Sequence, residues 1–375
     1  MAKPSLALIP SAVGDGALYS VLPSTGVGDF DFSRSGTATR VNAQGLIETV
    51  DANTPRLNYP LINGKVSGCP SLLLEPSRTN LVANSNDFTS WINSGSYITA
   101  NYGISPDGSQ NASRCLFTGS GQTLSKNIGT DGTFSYSIYV KGVEGETIQI
   151  SMASASDESF TLNGQWQRLS YSNTVTNSTI NINTHNNSTA RDLLIFGAQL
   201  EQGSYPTSYI PTNGQPITRS AETCNGAGDA DTFNDNEGVL YAEISALDDD
   251  ETFRILALSN NNADNHVRIY YTNNSNTISI LVRSGGVNQY TFLNYNVNDI
   301  TEYIKIAVKY KDSDFATFLN GVKINSKTDG GISPVGLDRL NFDNGIGGSD
   351  FYGNVKDLRV YNTALTDQEL IALTS

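Results

Sequence analysis

The sequence is poor in charged residues, and this shortage narrows the fold class. Only 16% of its 375 residues are charged, against about 25% in an average globular domain. Glycine, serine, threonine and asparagine fill the gap, and these residues are typical of turns and solvated sheet faces rather than of helix surfaces. Since 18 Tyr and 14 Phe stand against only 2 Met, the composition predicts an all-β protein.

Basic residues are scarcer than acidic ones, with 23 Lys and Arg against 37 Asp and Glu. A nucleic-acid binder needs basic side chains to neutralise phosphates, so we expect no nucleic-acid partner. No apolar run approaches the roughly 20 residues of a transmembrane helix, and we expect no membrane insertion. The short run near the start is broken by Pro10, which argues against a signal peptide and favours a protein made in a cytoplasm.

Cysteine and histidine are almost absent. The three cysteines, Cys69, Cys115 and Cys224, are far apart and form no CxxC motif or Cys/His cluster. This spacing does not support a zinc site, and we expect buried free thiols. The two histidines, His185 and His266, fall in different predicted domains.

The first part of the chain, residues 1–68, has no helical periodicity. Asp29–Arg34 alternates polar and apolar residues, and Ala38–Val50 is typical of two short strands around a Gln44-Gly45 turn. We interpret this part as a small β unit or as an N-terminal β arm that pairs with something else.

Residues 69–215 contain short strands separated by turn clusters, a pattern typical of a sandwich or jelly roll. The segment Ile210–Pro216, with two prolines, interrupts regular pairing and predicts a linker. The predicted strands are Thr133–Val140, Thr147–Met152, Gln165–Leu169 and Asp192–Phe196.

Residues 216–375 predict a second sandwich, with Asn320-Gly321 as the strongest hairpin signal. One short helix is expected at Thr366–Leu373, where Thr366 and Glu369 form a capping box. No repeat of 20 to 50 residues is visible, which disfavours a solenoid. The eight predicted strands are Val239–Ile244, Phe253–Leu258, His266–Tyr271, Thr277–Val282, Gln289–Leu293, Tyr303–Tyr310, Ala316–Leu319 and Lys356–Val360.

Three stretches, in this order, resemble phage tail or virion structural proteins that carry carbohydrate-binding-module-like and concanavalin A-like lectin domains. They are Phe30–Glu48, Leu72–Leu81 and Gly197–Thr212. Near the end, Gly353–Asn362 and the capped helix resemble the closing strand and helix of a laminin-G or concanavalin-type sandwich. The resemblance thus implies that residues 69–215 are module-like and residues 216–375 are lectin-like.

The resemblance also implies a place on a virion, at the tail, a surface fibre or the capsid surface, with residues 1–68 as the attachment region. The expected partners are other virion proteins and a host-surface polysaccharide, and a fibre would assemble as a homo-oligomer such as a trimer. Two alternatives stay open. One is a purely structural decoration or adaptor protein that binds no sugar, and the other is a polysaccharide depolymerase.

Residues for catalysis are not apparent. Concanavalin-type glucanases need two acids on one strand face, and Glu243–Asp248 lacks the E-x-D-x-x-E spacing. A lyase on this fold needs a cluster that includes histidine, whereas His185 and His266 are predicted to lie apart. We therefore expect a non-enzymatic protein without catalytic residues.

Strand alternation predicts a basic, aromatic-containing sheet face in residues 216–375. If the apolar residues of each strand point into the core, a set of basic and aromatic residues must point outward. An aromatic platform beside planar donors is common in sugar sites, and a basic one suits an acidic glycan. The alternatives are an ordinary solvated face and a subunit contact. The candidate ligand-binding residues are His266, Arg268, Tyr270, Arg283, Lys305 and Lys309.

Three further features have a structural and a functional interpretation, and we favour the structural one in each case. The acidic run Asp248–Glu251 could hold Ca²⁺, but consecutive carboxylates without alternate spacing favour a solvated loop, and we expect no metal or cofactor. The two tryptophans, Trp91 and Trp166, predict core or rim packing. The charged motif residues Glu75, Arg78, Glu201 and Arg219 predict a clamp between chain entry and chain exit.

Overall fold

The computed structural model describes residues 2–10, 13, 14, 16–152, 156–185 and 189–375. In this part the chain forms antiparallel strands and one helix, which confirms the predicted all-β class. Over the same residues no helix is long and apolar enough to cross a membrane.

The strands fall into three consecutive groups. The N-terminal group is β1 (Leu6–Leu8), β2 (Val13–Gly14), β3 (Ala17–Leu18), β4 (Phe30–Ser33), β5 (Ala38–Val41), β6 (Ile47–Val50), β7 (Arg56–Asn58), β8 (Leu61–Ile62), β9 (Lys65–Val66) and β10 (Ser71–Leu74). The middle group is β11 (Arg78–Asn80), β12 (Ile92–Ser94), β13 (Ser96–Gly103), β14 (Ala112–Phe117), β15 (Thr123–Asn127), β16 (Gly132–Lys141), β17 (Thr147–Met152), β18 (Glu158–Thr161), β19 (Gln167–Val175), β20 (Thr179–Asn183), β21 (Arg191–Gln202) and β22 (Ile217–Arg219). The last group is β23 (Thr223–Asn225), β24 (Glu237–Ala246), β25 (Arg254–Ser259), β26 (His266–Tyr271), β27 (Thr277–Ser284), β28 (Val287–Asn296), β29 (Ile304–Lys311), β30 (Phe315–Leu319), β31 (Val322–Lys327), β32 (Arg339–Asn341) and β33 (Gly353–Tyr361), followed by α1 (Asp367–Thr374).

The last group forms a two-sheet sandwich. The larger sheet has the order β31-β30-β29-β24-β33-β10-β7, with β1 also on β33, and the smaller sheet has the order β28-β27-β26-β25-β32. Apolar residues of both sheets, such as Ile269 and Ile306, are fully buried in one core. All eight strands predicted for residues 216–375 are present, as β24–β30 and β33, whereas β23, β31 and β32 were not predicted.

Strands of the N-terminal group complete this sandwich. In the larger sheet, Leu6 of β1 pairs with Val360, and Leu72 of β10 pairs with Val355. At the edge of the core, β4 pairs with β23, and Phe30 is buried among the core residues. The described strands of residues 1–68 therefore do not form one separate unit, and residues 71–74, which the sequence assigned to the middle domain, belong to the other sandwich. Local alternation could not show which partner these short strands choose.

The middle sandwich has a core of its own. Its sheets have the orders β13-β14-β21-β16-β19 and β12-β15-β20-β17-β18. All of its core residues, from Val82 to Leu200, come from the middle of the chain. Trp91 packs in this core, and Trp166 packs beside it against the cluster of Ile47, Phe196 and Tyr209. The expected structural role of both tryptophans is thus confirmed.

The helix covers the outer face of the larger sheet. Thr366 caps it, and the predicted capping box with Glu369 is present. Leu370 and Leu373 pack against strand residues that include Phe318. The predicted Asn-Gly hairpin is also present: Asn320 has a φ of 45° and Gly321 a φ of 80° between β30 and β31, as a turn with two left-handed residues requires.

A buried ionic network joins the two sandwiches. The carboxylate of Glu75 lies 2.7 Å from Nη1 of Arg219 and 2.8 Å from Nη1 of Arg56. This confirms one pair of the predicted clamp. Arg34 and Glu222, which were not among the residues proposed for the clamp, extend the network.

The other two residues proposed for the clamp have different partners. Glu201 accepts hydrogen bonds from Thr207 and from Gln199, and the guanidinium of Arg78 lies over the ring of Tyr205.

The three cysteines are free. Cys115 and Cys224 are buried, as expected, but Cys69 is exposed, which corrects the prediction for that residue. It lies between the short hairpin β8–β9 and β10, outside both hydrophobic cores.

Candidate functional site

Four of the six candidate residues lie on one outer face, that of the smaller sheet. His266, Arg268 and Tyr270 alternate along β26 with Val267, Ile269 and Tyr271, which are core residues. Arg283 of β27 is the direct cross-strand partner of His266. We call this outer side of the smaller sheet, where His266 is buried and Arg268, Tyr270 and Arg283 are partly exposed, the basic face.

The other two candidates lie on a different sheet. Lys305 and Lys309 point outward from β29, as predicted, but β29 belongs to the larger sheet on the far side of the core. Lys309 makes an ion pair of 2.6 Å with Asp314, and the Nζ of Lys305 donates to the backbone oxygen of Ser375 after α1. The expectation of one shared face was therefore wrong, because alternation separates inside from outside but does not show which sheet a strand joins.

His266 occupies a closed position on the basic face. Its side chain is 0% exposed, and both ring nitrogens lack a hydrogen-bond partner among the described residues. Burial, reinforced by the charges of Arg268 and Arg283, lowers its pKa to about 3. The imidazole is therefore neutral at physiological pH.

A glycine-rich loop covers this end of the face. Ser259, which pairs with His266 across β25 and β26, is fully buried. A Cβ built on Gly345 would come 2.7 Å from the Oγ of Ser259, so the loop backbone lies directly on the sheet. The loop therefore packs on the strand residue next to His266 and comes from a distant part of the sequence, which strand alternation could not predict.

The two arginines of the basic face have no carboxylate partner among the described residues. Nη2 of Arg268 donates to the carbonyl of Asn344 at 2.5 Å, and Arg283 donates to the carbonyls of Ala263 and Gly286. Backbone oxygens therefore hold both guanidinium groups in place, and the nearby carboxylate of Asp343 acts on Arg268 through its charge without a direct ion pair. The chain as a whole has a net charge of −14, so this face is a local positive region on an acidic protein. Its guanidinium groups can accept an anionic or hydroxyl-rich ligand.

An aromatic pair extends the basic face toward the middle sandwich. The ring centroids of Tyr270 and Phe253 lie 6.3 Å apart. Tyr270 is half-buried and Phe253 is 44% exposed. The pair offers a partly solvated apolar surface, of the kind on which the flat face of a sugar ring packs.

Phe253 also lines a cleft between the two sandwiches, which we call the junction cleft. It has a volume of about 320 Å³. Sequence reasoning did not identify this cleft, although Pro76, Arg78 and Tyr205 belong to two of the resemblance stretches. Its lining residues are Pro76, Arg78, Tyr205, Asp250, Thr252, Phe253, Arg254, Ser349, Asp350 and Tyr352.

The acidic run Asp248–Glu251 borders this cleft and is largely engaged by neighbouring side chains. Asp250 makes an ion pair of 2.6 Å with Arg254, and Asp249 accepts hydrogen bonds from Ser275 and from the backbone of Asn276. No group of three or more potential metal-ligating side chains occurs in the described ranges. Ca²⁺ binding thus gains no support here, and the absence of a metal or cofactor stays a prediction.

A family model matches the last sandwich of the chain. Residues 225–371 match the concanavalin A-like lectin/glucanases superfamily. The basic face lies inside the matched residues. The match supports the lectin-like part of the resemblance, and the phage part stays a prediction. No curated protein sequence matches the chain.

Solved structures give similarity to parts of the chain. The carbohydrate-binding module CBM40 of the IT-sialidase of Ruminococcus gnavus, bound to alpha2,3 sialyllactose, is 20% identical, with a TM-score of 0.34, over 40% of this chain and 94% of that one. Domain 4 of the Geobacillus stearothermophilus arabinanase AbnA, in complex with arabinotriose, is 11% identical, with a TM-score of 0.34, over 46% and 84%. A pentraxin of Limulus polyphemus is 15% identical, with a TM-score of 0.31, over 37% and 70%. At these values the similarity carries no information about the ligand of this chain.

Proposed function

We propose that the chain is a non-enzymatic component of a phage particle, in its tail or a surface fibre, and that its basic face contacts glycans of the host surface. One observation carries the binding part of this proposal: Arg268 and Arg283, which have no carboxylate partner among the described residues, share a sheet face with the Tyr270–Phe253 ring pair. The lectin family match over residues 225–371 supports it.

The chemistry of the face suits recognition rather than bond cleavage. Planar guanidinium groups can donate pairs of hydrogen bonds to hydroxyl or carboxylate oxygens, and an aromatic surface can pack against C–H groups of a sugar ring. The one histidine of the face, His266, is buried and has a pKa of about 3. It is therefore a weak proton acceptor near neutral pH, and a general base needs a pKa near the working pH.

The test is a glycan array with the full chain, its double variant Arg268→Ala, Tyr270→Ala, and a control variant Tyr97→Ala. Tyr97 lies on β13 of the middle sandwich and is 65% exposed, so it controls for the loss of an exposed aromatic residue. We expect the unsubstituted chain and Tyr97→Ala to bind the same glycans and the double variant to lose them. Equal melting temperatures would show that the three proteins are equally folded.

Other outcomes would favour the alternatives. If the folded chain binds no glycan, the binding part of the proposal is wrong, and a decoration or adaptor role is favoured. If a bound polysaccharide is shortened during incubation, as measured by newly formed reducing or unsaturated ends, the chain is a depolymerase. The location on a particle is tested separately, by labelling intact phage with an antibody raised against the chain.

A further inference from the structure

Arg78 is held in place at the junction of the two sandwiches but uses few of its donors. Its one hydrogen bond to the described residues runs from Nη1 to the carbonyl of the adjacent Ser77, at 3.3 Å. It makes no ion pair with them, and its Nε is buried without a partner. A guanidinium has five N–H groups, so most of the hydrogen-bonding capacity of Arg78 is unused.

The side chain of Arg78 is nevertheless oriented by two contacts. Its guanidinium carbon lies 5.2 Å from the centre of the Tyr205 ring. Gly203 also lies against it: an added Cβ there would come 2.9 Å from Nη2, and the residue has a φ of +132°. Glycine at this position thus leaves room for the guanidinium, and the tyrosine ring stacks against it. Two residues of the stretch Gly197–Thr212 therefore hold one residue of the stretch Leu72–Leu81.

The guanidinium opens into a cavity distinct from the basic face. This cavity has a volume of about 470 Å³ and is lined by Ser77, Arg78, Thr79, Leu81, Gln202 and Gly203. We call it the Arg78 notch. Its lining has one positive charge, two hydroxyl groups and an amide, but no carboxylate. Arg78 also lines the junction cleft, so the notch adjoins that cleft and its aromatic residues.

We propose that the Arg78 notch is a second ligand site, which binds the carboxylate of an acidic sugar such as a hexuronate. A guanidinium binds a carboxylate through two parallel N–H···O bonds, and these are about twice as strong as neutral hydrogen bonds. The hydroxyl groups of Ser77 and Thr79 and the amide of Gln202 are suitable partners for the ring hydroxyls. The class of ligand rests on the proposed glycan-binding function, whereas the site itself rests on the geometry of Arg78.

The two acidic residues that line the neighbouring junction cleft, Asp250 and Asp350, make no ion pair with this arginine. Asp250, which lines the neighbouring junction cleft, is paired with Arg254 at 2.6 Å. Asp350, on the same cleft, accepts a hydrogen bond of 3.0 Å from the hydroxyl of Tyr352. Both carboxylates thus have other partners, and the guanidinium of Arg78 stays open to the carboxylate of a ligand.

The experiment is a calorimetric titration of the full chain with methyl glucuronide and, as the neutral match, methyl glucoside. We expect saturable binding of the glucuronide and at least tenfold weaker binding of the glucoside. Arg78→Gln should weaken glucuronide binding at least tenfold. Arg114→Gln is the matched control, because Arg114 is a partly exposed arginine paired with Asp192 on the middle sandwich, and it should leave binding unchanged.

Two further variants separate this site from the basic face and from misfolding. Arg268→Ala, Tyr270→Ala should keep the glucuronide binding, even though it loses the glycans of the array. If Arg78→Gln melts at a lower temperature, Arg78→Lys replaces it; this variant keeps the charge, loses the planar fork and should still weaken binding severalfold. The inference is overturned if the two methyl glycosides bind equally or not at all. It is also overturned if the loss of binding follows Arg268 and Tyr270 instead of Arg78.

Discussion

The guanidinium of Arg56 binds the carboxylate of Glu222 through two hydrogen bonds, from Nε to Oε1 at 2.8 Å and from Nη2 to Oε2 at 2.5 Å, across 166 residues of chain. Both side chains are 0% exposed. Arg56 belongs to β7 in the N-terminal group, and Glu222 follows β22 at the exit of the middle sandwich. The pair therefore joins the start of the chain to the point where it enters the last sandwich.

Removal of the negative charge from this pair is expected to be costly. Glu222 also accepts from Nη1 of Arg34 at 2.7 Å, so Glu222→Gln leaves two buried arginines without their shared carboxylate. Loss of one partner of a buried ion pair costs about 3–5 kcal/mol. We expect a loss of this size in the free energy of unfolding, measured in urea. Glu48→Gln is the control, because its pair with Arg40 is partly exposed and should contribute less than about 1 kcal/mol. Equal losses in the two variants would contradict this expectation.

Glu75 predicts a loss of stability in acid. Burial alone would raise its pKa, but the charges of Arg219 and Arg56 and hydrogen bonds from Ser208 outweigh it and lower the pKa to about 2, from 4.5. The ionised form therefore stabilises the fold above pH 4.5, and this stabilisation is lost as the pH falls toward 2. The lowering of this pKa from 4.5 to about 2 corresponds to about 3 kcal/mol in the free energy of unfolding. In urea unfolding, the advantage of the unsubstituted chain over Glu75→Gln should shrink between pH 4.5 and 2.5. An advantage that does not change with pH would show that Glu75 is not the titrating group.

His266 predicts a separate pH dependence at milder acidity. Its pKa falls from 6.5 to about 3 on folding, so below pH 6.5 the unfolded chain takes up a proton that the folded chain does not. The free energy of unfolding should then decrease by up to about 1.4 kcal/mol per pH unit. We expect this slope between pH 6.5 and 5 in the unsubstituted chain and a smaller slope in His266→Gln. Parallel slopes would mean that the imidazole is already accessible to protons in the fold.

The two sandwiches should differ in their ability to fold alone. A fragment of residues 216–375 lacks core residues such as Leu6, Phe30 and Leu72, and the strands that carry them. We expect it to lack cooperative thermal unfolding, as followed by circular dichroism. A fragment of residues 78–219 keeps every residue of the middle core and should unfold cooperatively. A cooperative transition in the first fragment would show that the N-terminal strands are not needed to complete the last sandwich.

The sequence was sufficient for the fold class and for most strands of the last sandwich. Val267, Ile269 and Tyr271 point into the core, as the period of two predicts, and the helix begins at the predicted cap. Alternation is a local property of each strand, so it could be read without knowledge of the partners. The pairing of Leu6 with Val360 is not local, and no pattern in the first residues indicates it.

Only part of the candidate site was predicted, because strand alternation is local and sheet membership is not. Arg268 and Tyr270 face outward as expected, but Lys305 lies on the other sheet, because register and sheet membership depend on contacts across the whole chain. The Arg78 notch was missed since its position depends on Gly203 and Tyr205, which lie more than a hundred residues away in the sequence. In the sequence, the only indication of this site is that Arg78 lies in one resemblance stretch and that Gly203 and Tyr205 lie in another.

The central claim is tested most directly by binding calorimetry with the glycan that binds most strongly on the array. The dissociation constants of two full-chain variants, Arg268→Ala and Lys305→Ala, are compared with that of the unsubstituted chain. Arg268 lies on the basic face and Lys305 on the opposite sheet, although both are outward-facing basic residues of the same sandwich. We predict that Arg268→Ala raises Kd at least tenfold, or about 1.4 kcal/mol, and that Lys305→Ala leaves Kd unchanged. Equal effects of the two substitutions, or an effect of Lys305→Ala alone, would contradict glycan binding at the basic face.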